Sequence, residues 1–146
     1  MSGSGKWILI SNILLFMILL IASCSNKKST EEVTKDLDTI SSWAATAHMV
    51  GDAWIRKAVP TNYAKQTLKT TQEQLQKETD NLSKLSIPPN QQQSLLKPIQ
   101  QLKYIVDQMS LAVEKKDRSA IATQIKQLST QEQTIRRLAK SAGEKP

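Results

Sequence analysis

Residues 33–58 read VTKDLDTISSWAATAHMVGDAWIRKA, and their spacing decides the fold class. Val33, Leu37, Ile40, Ala44, Ala47, Gly51, Trp54 and Ala58 recur at alternating intervals of four and three. Such a repeat puts one apolar seam along one face of a helix. Ala44, Ala47 and Gly51 keep the middle of the seam small, so a neighbouring backbone can come close. Gly51 costs about 1 kcal/mol relative to Ala inside a helix, and close packing is the reason to expect for it.

The same periodicity continues on both sides. Ser29-Thr30-Glu31-Glu32 has the S-x-x-E form of a capping box, which predicts a helix start near residue 30. Pro60 ends or restarts the helix. A leaner seam follows through Ala64, Leu68, Thr71, Leu75, Leu82 and Leu85, with Glu78 where an apolar residue is expected. Ile87-Pro88-Pro89-Asn90 breaks the chain. A third seam uses Leu95, Ile99, Leu102, Val106, Met109 and Val113, with Pro98 marking either a helix start near Ser94 or a kink. The reading preferred is a helix from Pro89. Asp117 suits a helix N-cap, and a fourth seam runs through Ile121, Ile125, Leu128, Ile135, Leu138 and Ala142.

These patterns predict helices at about 30–58, 61–86, 89–115 and 118–142. Short connections make sequential helices antiparallel. The expected fold is all-α, an up-down-up-down antiparallel four-helix bundle over residues 30–143. A three-helix core with the second helix peripheral, or a dimer of hairpins, is the alternative architecture. Composition agrees with helices: of 146 residues 4% are aromatic and four are glycine, so the core must come from Leu, Ile, Val and Ala.

Before residue 30 the chain is of another kind. Met1 to Lys6 is short and basic, and Trp7 to Ala22 is apolar apart from Ser11 and Asn12. The apolar run falls short of the roughly 20 residues a spanning helix prefers. A basic start, an apolar middle and a small-residue end form a secretory signal over residues 1–23, with an uncleaved signal anchor as the alternative. Residues 1–23 carry one charged side chain, Lys6, so the formal charge of +7 becomes +6 once they are removed.

The one cysteine stands at this border, in Ile21-Ala22-Ser23-Cys24. This tetrad resembles the lipobox of bacterial lipoproteins: an aliphatic residue, two small ones, then cysteine. Ile in the first position departs slightly from the usual Leu. The resemblance covers the first 24 residues and implies a diacylglyceryl group on the Cys24 sulfur, cleavage before it, and a fatty acid such as palmitate on the new amino terminus. Residues 24–29 then become a lipidated cysteine and tether. Two or more acyl chains hold a membrane stably where one does not. Ser25 after the cysteine, rather than aspartate, leans by family analogy towards the outer membrane. The expected location is the bacterial cell envelope, on the outer side of the cytoplasmic membrane or the periplasmic face of the outer membrane. A lone cysteine can otherwise be a reactive thiol or half of an intermolecular disulfide.

Several chemistries lack their residues. With Gly51 the one glycine in the helical region, a glycine-rich phosphate loop cannot be built. One histidine, and no cysteine beyond Cys24, disfavours a structural zinc site. No C-x-x-C-H and no Glu-x-x-His occurs, and a Ser-His-Asp triad would have to use His48. No metal site and no cofactor other than the covalent lipid is expected, and no enzyme activity.

The candidate partner-binding residues are Trp43, His48, Asp52, Trp54, Arg56 and Tyr63. Both tryptophans of the mature chain and its one histidine fall within 43–54. His48 and Asp52 are four apart and expected to pair. Trp54 lies on the seam, which argues for core packing, and Tyr63 is expected to fold back near Trp54 or Arg56. Aromatic residues and Arg are favoured anchors at interfaces. The expected function is a membrane-anchored envelope lipoprotein acting as a non-catalytic helical protein-interaction module. Its partners are the membrane, through Lys27, Lys28 and the lipid, and an envelope protein. Nucleic acid is not expected, since export separates the protein from it. The alternative is a carrier of a small ligand, metal or haem in the bundle interior, for example a b-type haem on His48 and Met109.

Overall fold

The computed structural model describes the backbone of residues 4–144 and the side chains of residues 29–144. The chain is all-helical: α1 is Ser4–Ile55, α2 Thr61–Ser83, α3 Pro89–Glu114 and α4 Arg118–Gly143, with no strand among the described residues. Residues 1–23, expected to be a signal, and Cys24, Lys27 and Lys28 lie outside the residues whose side chains are described. Ser29–Glu32 falls within α1 rather than at a helix start. Among the described residues, no helix is long and apolar enough to cross a membrane.

The helices form a bundle. α1 packs against α2 and α4, α3 packs against the same two, and α1 meets α3 only briefly. Every seam position of α1 from Val33 to Trp54 is buried, Leu37, Ile40, Ala44 and Ala47 completely. Leu68, Leu75 and Leu82 of α2, Ile99, Leu102, Val106 and Met109 of α3, and Ile121, Leu128 and Ile135 of α4 complete this core. Each such leucine or isoleucine contributes about 1.5–3 kcal/mol of burial. α2 is therefore not peripheral: its seam shares one core with the others.

Gly51 sits where three helices converge. A Cβ there would lie 2.6 Å from Met109 Cε of α3 and 3.3 Å from Ile125 Cδ1 of α4. Close packing is thus what the glycine provides. At the other end of α4, Gly143 lies against α1, its Cβ position 3.8 Å from the Thr34 methyl.

Two helix ends differ from expectation. α1 stops at Ile55, not Ala58, because Lys57 adopts φ 60°. Its N–H donates to the Trp54 carbonyl, and that of Ala58 donates to the Ala53 carbonyl. This is a Schellman stop, which leaves Ala58 exposed. α2 stops at Ser83, three residues early, and Leu85 is half-buried beyond it. α3 does begin at Pro89, where the missing N–H costs no helical bond, and runs unbroken through Pro98. Asp117 caps α4, its Oδ1 accepting from the Ala120 N–H at 2.9 Å.

The irregular seam position of α2 is buried all the same. Glu78 is 8% exposed, and Asn81 Nδ2 donates to its Oε2 at 3.2 Å. Asp36 of α1 feels it. Desolvation by burial, and then the negative charge of Glu78, raise the Asp36 pKa above its ordinary 3.8; Lys35 opposes and Glu32 adds a little. The charged form of Asp36 therefore costs stability at neutral pH. As pH falls, the folded chain takes up this proton before the unfolded chain does, so this contribution to stability rises between the raised value and 3.8. Asp36→Asn should raise Tm at pH 7, by a margin that shrinks as the pH is lowered towards 4. A margin equal at every pH in thermal melts would rule this linkage out.

Candidate functional site

The outer face of α1 carries most of the residues singled out above. Successive helical turns place His48, Asp52 and Arg56 along one side. Asp52 does not pair with His48. Its Oδ2 accepts from Arg56 Nε at 3.0 Å and lies 2.7 Å from a second guanidinium nitrogen. Asp52 has a neighbour four residues away in each direction, and the permanently charged, forked guanidinium is the stronger one.

His48 turns to α4 instead. Its Nδ1 lies 3.8 Å from Glu132 Oε2 and 3.5 Å from Ser129 Oγ. The opposite oxygen of Glu132 takes Arg136 at 2.5 Å, one turn further along α4. Glu132 is only 14% exposed, so histidine and arginine hold a mostly buried carboxylate between them. Serine, histidine and a carboxylate thus do meet. Both contacts fall on the same ring nitrogen, however, whereas a proton relay needs nucleophile and carboxylate on opposite nitrogens. In this arrangement the cluster ties α1 to α4 and does not activate Ser129.

Trp54 is 3% exposed. Its Nε1 donates to Thr61 Oγ1 at 3.2 Å, and the Arg118 guanidinium lies 5.4 Å from the ring centroid. The seam reading of Trp54 as core fits this burial, and the ring is not offered to a partner. The groups placed on it come from the starts of α2 and α4, while Tyr63 stays 55% exposed. Trp43 is half-buried against the core. Met49, which sequence reasoning did not single out, is 66% exposed beside His48. The accessible part of the predicted surface is thus Asp52 and Arg56 on α1, with Tyr63 across the turn, and Met49 adds to it.

Two of the surface grooves among the described residues lie elsewhere. One, of about 630 Å³, runs between α2 and α3 and is lined by Lys65, Lys69, Gln72, Asp107, Leu111 and Glu114 among others. The other, about 580 Å³, lies between α3 and α4 around Gln101, Tyr104, Ile105 and Gln131. Tyr104 is 62% exposed. No group of three or more His, Cys, Asp or Glu side chains able to hold a metal occurs among the described residues. Of the haem pair considered above, Met109 is fully buried with its Cε packed at Gly51, and His48 faces Ser129 and Glu132.

No protein-family model matches the chain, and no curated protein and no solved structure matches it either.

Proposed function

We propose that the chain is a lipid-anchored lipoprotein of the bacterial cell envelope, whose helical domain is a non-catalytic protein-interaction module. The observation that carries this reading is the placement of Cys24. The one cysteine of the sequence follows Ile21-Ala22-Ser23 at the end of an apolar run, where a lipobox has it. On this reading the domain is an up-down-up-down antiparallel four-helix bundle. Opposed pairings support that topology. Lys65, Gln72 and Gln76 of α2 meet Glu114, Asp107 and Lys103 of α3, so one helix descends as the other rises. Between α1 and α4, Thr34 lies by Gly143, and His48 by Ser129.

The proposed contact surface is the exposed half of the predicted set, Asp52, Arg56 and Tyr63, joined by Met49 and bordered by Trp43. An exposed methionine and tyrosine around an ion pair suit a protein surface: the aromatic and the Arg act as anchors, and Met adapts to the partner. Intact mass of the membrane-extracted protein tests the anchor. The expected species begins at Cys24 and carries acyl chains; a species with an unmodified thiol, or with residues 1–23 retained, would refute it. Crosslinking in native envelopes tests the module. Trp43→Ala should weaken capture of the crosslinked partner several-fold with helicity retained. Unfolding of that variant would make Trp43 a core residue and remove it from the surface.

A further inference from the structure

The end of the bundle opposite Ser29 gathers cations from two turns far apart in sequence. Ile55 lies about 39 Å along α1 from Ser29 at 1.5 Å per residue. There the α1–α2 turn supplies Arg56 and Lys57, and the α3–α4 turn supplies Lys115 and Lys116, with Arg118 and Lys65 just inside the next helices. Arg118 over Trp54, and Lys65 at 3.4 Å from Glu114, fix the two turns side by side. All six side chains are exposed. Three carboxylates accompany them: Asp52 on Arg56, Glu114 near Lys65, and Asp117 capping α4. The tip keeps a net positive charge.

The backbone adds a second, independent sign. Lys57 and Lys116 are the positive-φ non-glycine residues of the described chain, at 60° and 56°. Both occupy the same place in a Schellman stop. The Lys116 N–H donates to the Val113 carbonyl and that of Asp117 to the Ala112 carbonyl, repeating the bonds at Lys57. Glycine is the residue that fits this place without strain. Lysine is strained there, and its charge gains only modestly from the helix dipole. Strain of this kind persists where a side chain has a use. Here it occurs twice, on the two turns of one surface.

We infer that this tip docks an acidic segment of a partner protein, with Lys57 and Lys116 as paired contacts. This extends the interaction-module reading and rests on it for the partner being a protein. The surroundings favour a peptide over a uniformly anionic polymer or membrane. The α2–α3 groove that opens beside the tip sets Asp107 and Glu114 among Lys65, Lys69 and Leu111, a mixed lining that suits a peptide of varied side chains better than an unbroken row of phosphates. Exposed Tyr63 and Leu111 in the same region suit the apolar side chains that alternate with acids in a peptide.

The test uses the full chain as extracted from membranes, with a fluorescein-labelled Glu-rich peptide and its Gln counterpart as probes. The Glu peptide should bind, weaken with added salt, and outbind the Gln peptide. The double variant Lys57→Gly with Lys116→Gly should lose about tenfold in affinity while Tm stays level or rises. Loss of a fold-supporting residue would lower Tm, so the two readouts separate docking from structure. Lys126→Gln with Arg137→Gln, on the outer face of α4, should leave binding unchanged. Equal binding by the glycine variant, equal binding of both peptides, or tighter binding of polyphosphate or phosphatidylglycerol vesicles than of the peptide would each overturn the proposal. Peptide binding by a chain that carries no lipid would overturn the anchoring reading alone. A lipidated chain that ignores the peptide would overturn the tip alone.

Discussion

Trp54→Ala should cost the folded chain about 3–5 kcal/mol, the range for emptying a buried aromatic site. The ring is 3% exposed at the C-terminal end of α1. Its removal also strands Thr61, which accepts from the indole, and Arg118, which rests over the ring. These two residues begin α2 and α4, so the tryptophan joins three helices at one place. Against a typical total stability of about 5–15 kcal/mol, a loss of this size leaves a chain that unfolds at low denaturant. Trp54→Phe keeps most of the apolar volume, and should fall well short of that cost. A denaturant titration in which Trp54→Ala loses under about 1 kcal/mol would show the ring to be dispensable to the core. It would then have to be re-examined as an interface anchor.

Gly51→Leu comes second, with an expected cost of about 1–3 kcal/mol from overpacking. Even a Cβ at this position would press on Met109 Cε at 2.6 Å, with Ile125 at 3.3 Å on the other flank. Alanine is a different matter. The far end of a methionine can swing aside, and Ala recovers about 1 kcal/mol of helix propensity, so Gly51→Ala should be close to neutral. A leucine adds three further carbons where α1, α3 and α4 already meet. Met109→Ala combined with Gly51→Leu should be less destabilising than the sum of the single changes, because the leucine fills the space the methionine leaves. Strict additivity in urea melts would argue that the two residues do not share a site.

The seams were legible because burial on a helix repeats with the helix itself. Seven successive positions from Val33 to Trp54 follow the four-three rhythm into the core. Ala58 continues the rhythm on paper but not in space, since the chain has already turned at Lys57. Pro60 announces a stop but not its place: a glycine at position 57 would have fixed it, and a lysine does not. Glu78 shows the converse. Its position obeys the rhythm and is buried, although its chemistry argues against burial. Pairing was less legible. Asp52 had two candidates on its own helix, and His48 found its carboxylate on α4, more than eighty residues away in the chain. The cationic tip was invisible for the same reason. Its members come from residues 56–65 and 115–118, and only folding makes them neighbours.

The contact between Gly143 and Thr34 has a practical meaning. It brings the exit of the last helix back beside the entry of the domain, so the polypeptide leaves where it came in. A reporter fused after α4 would therefore sit next to α1 near Thr34 and leave the far pole clear. By the same closeness, once the chain is cut back to the start of the bundle near residue 30, a short linker could join that point to the end of α4, and new ends could be opened at a turn on the far pole.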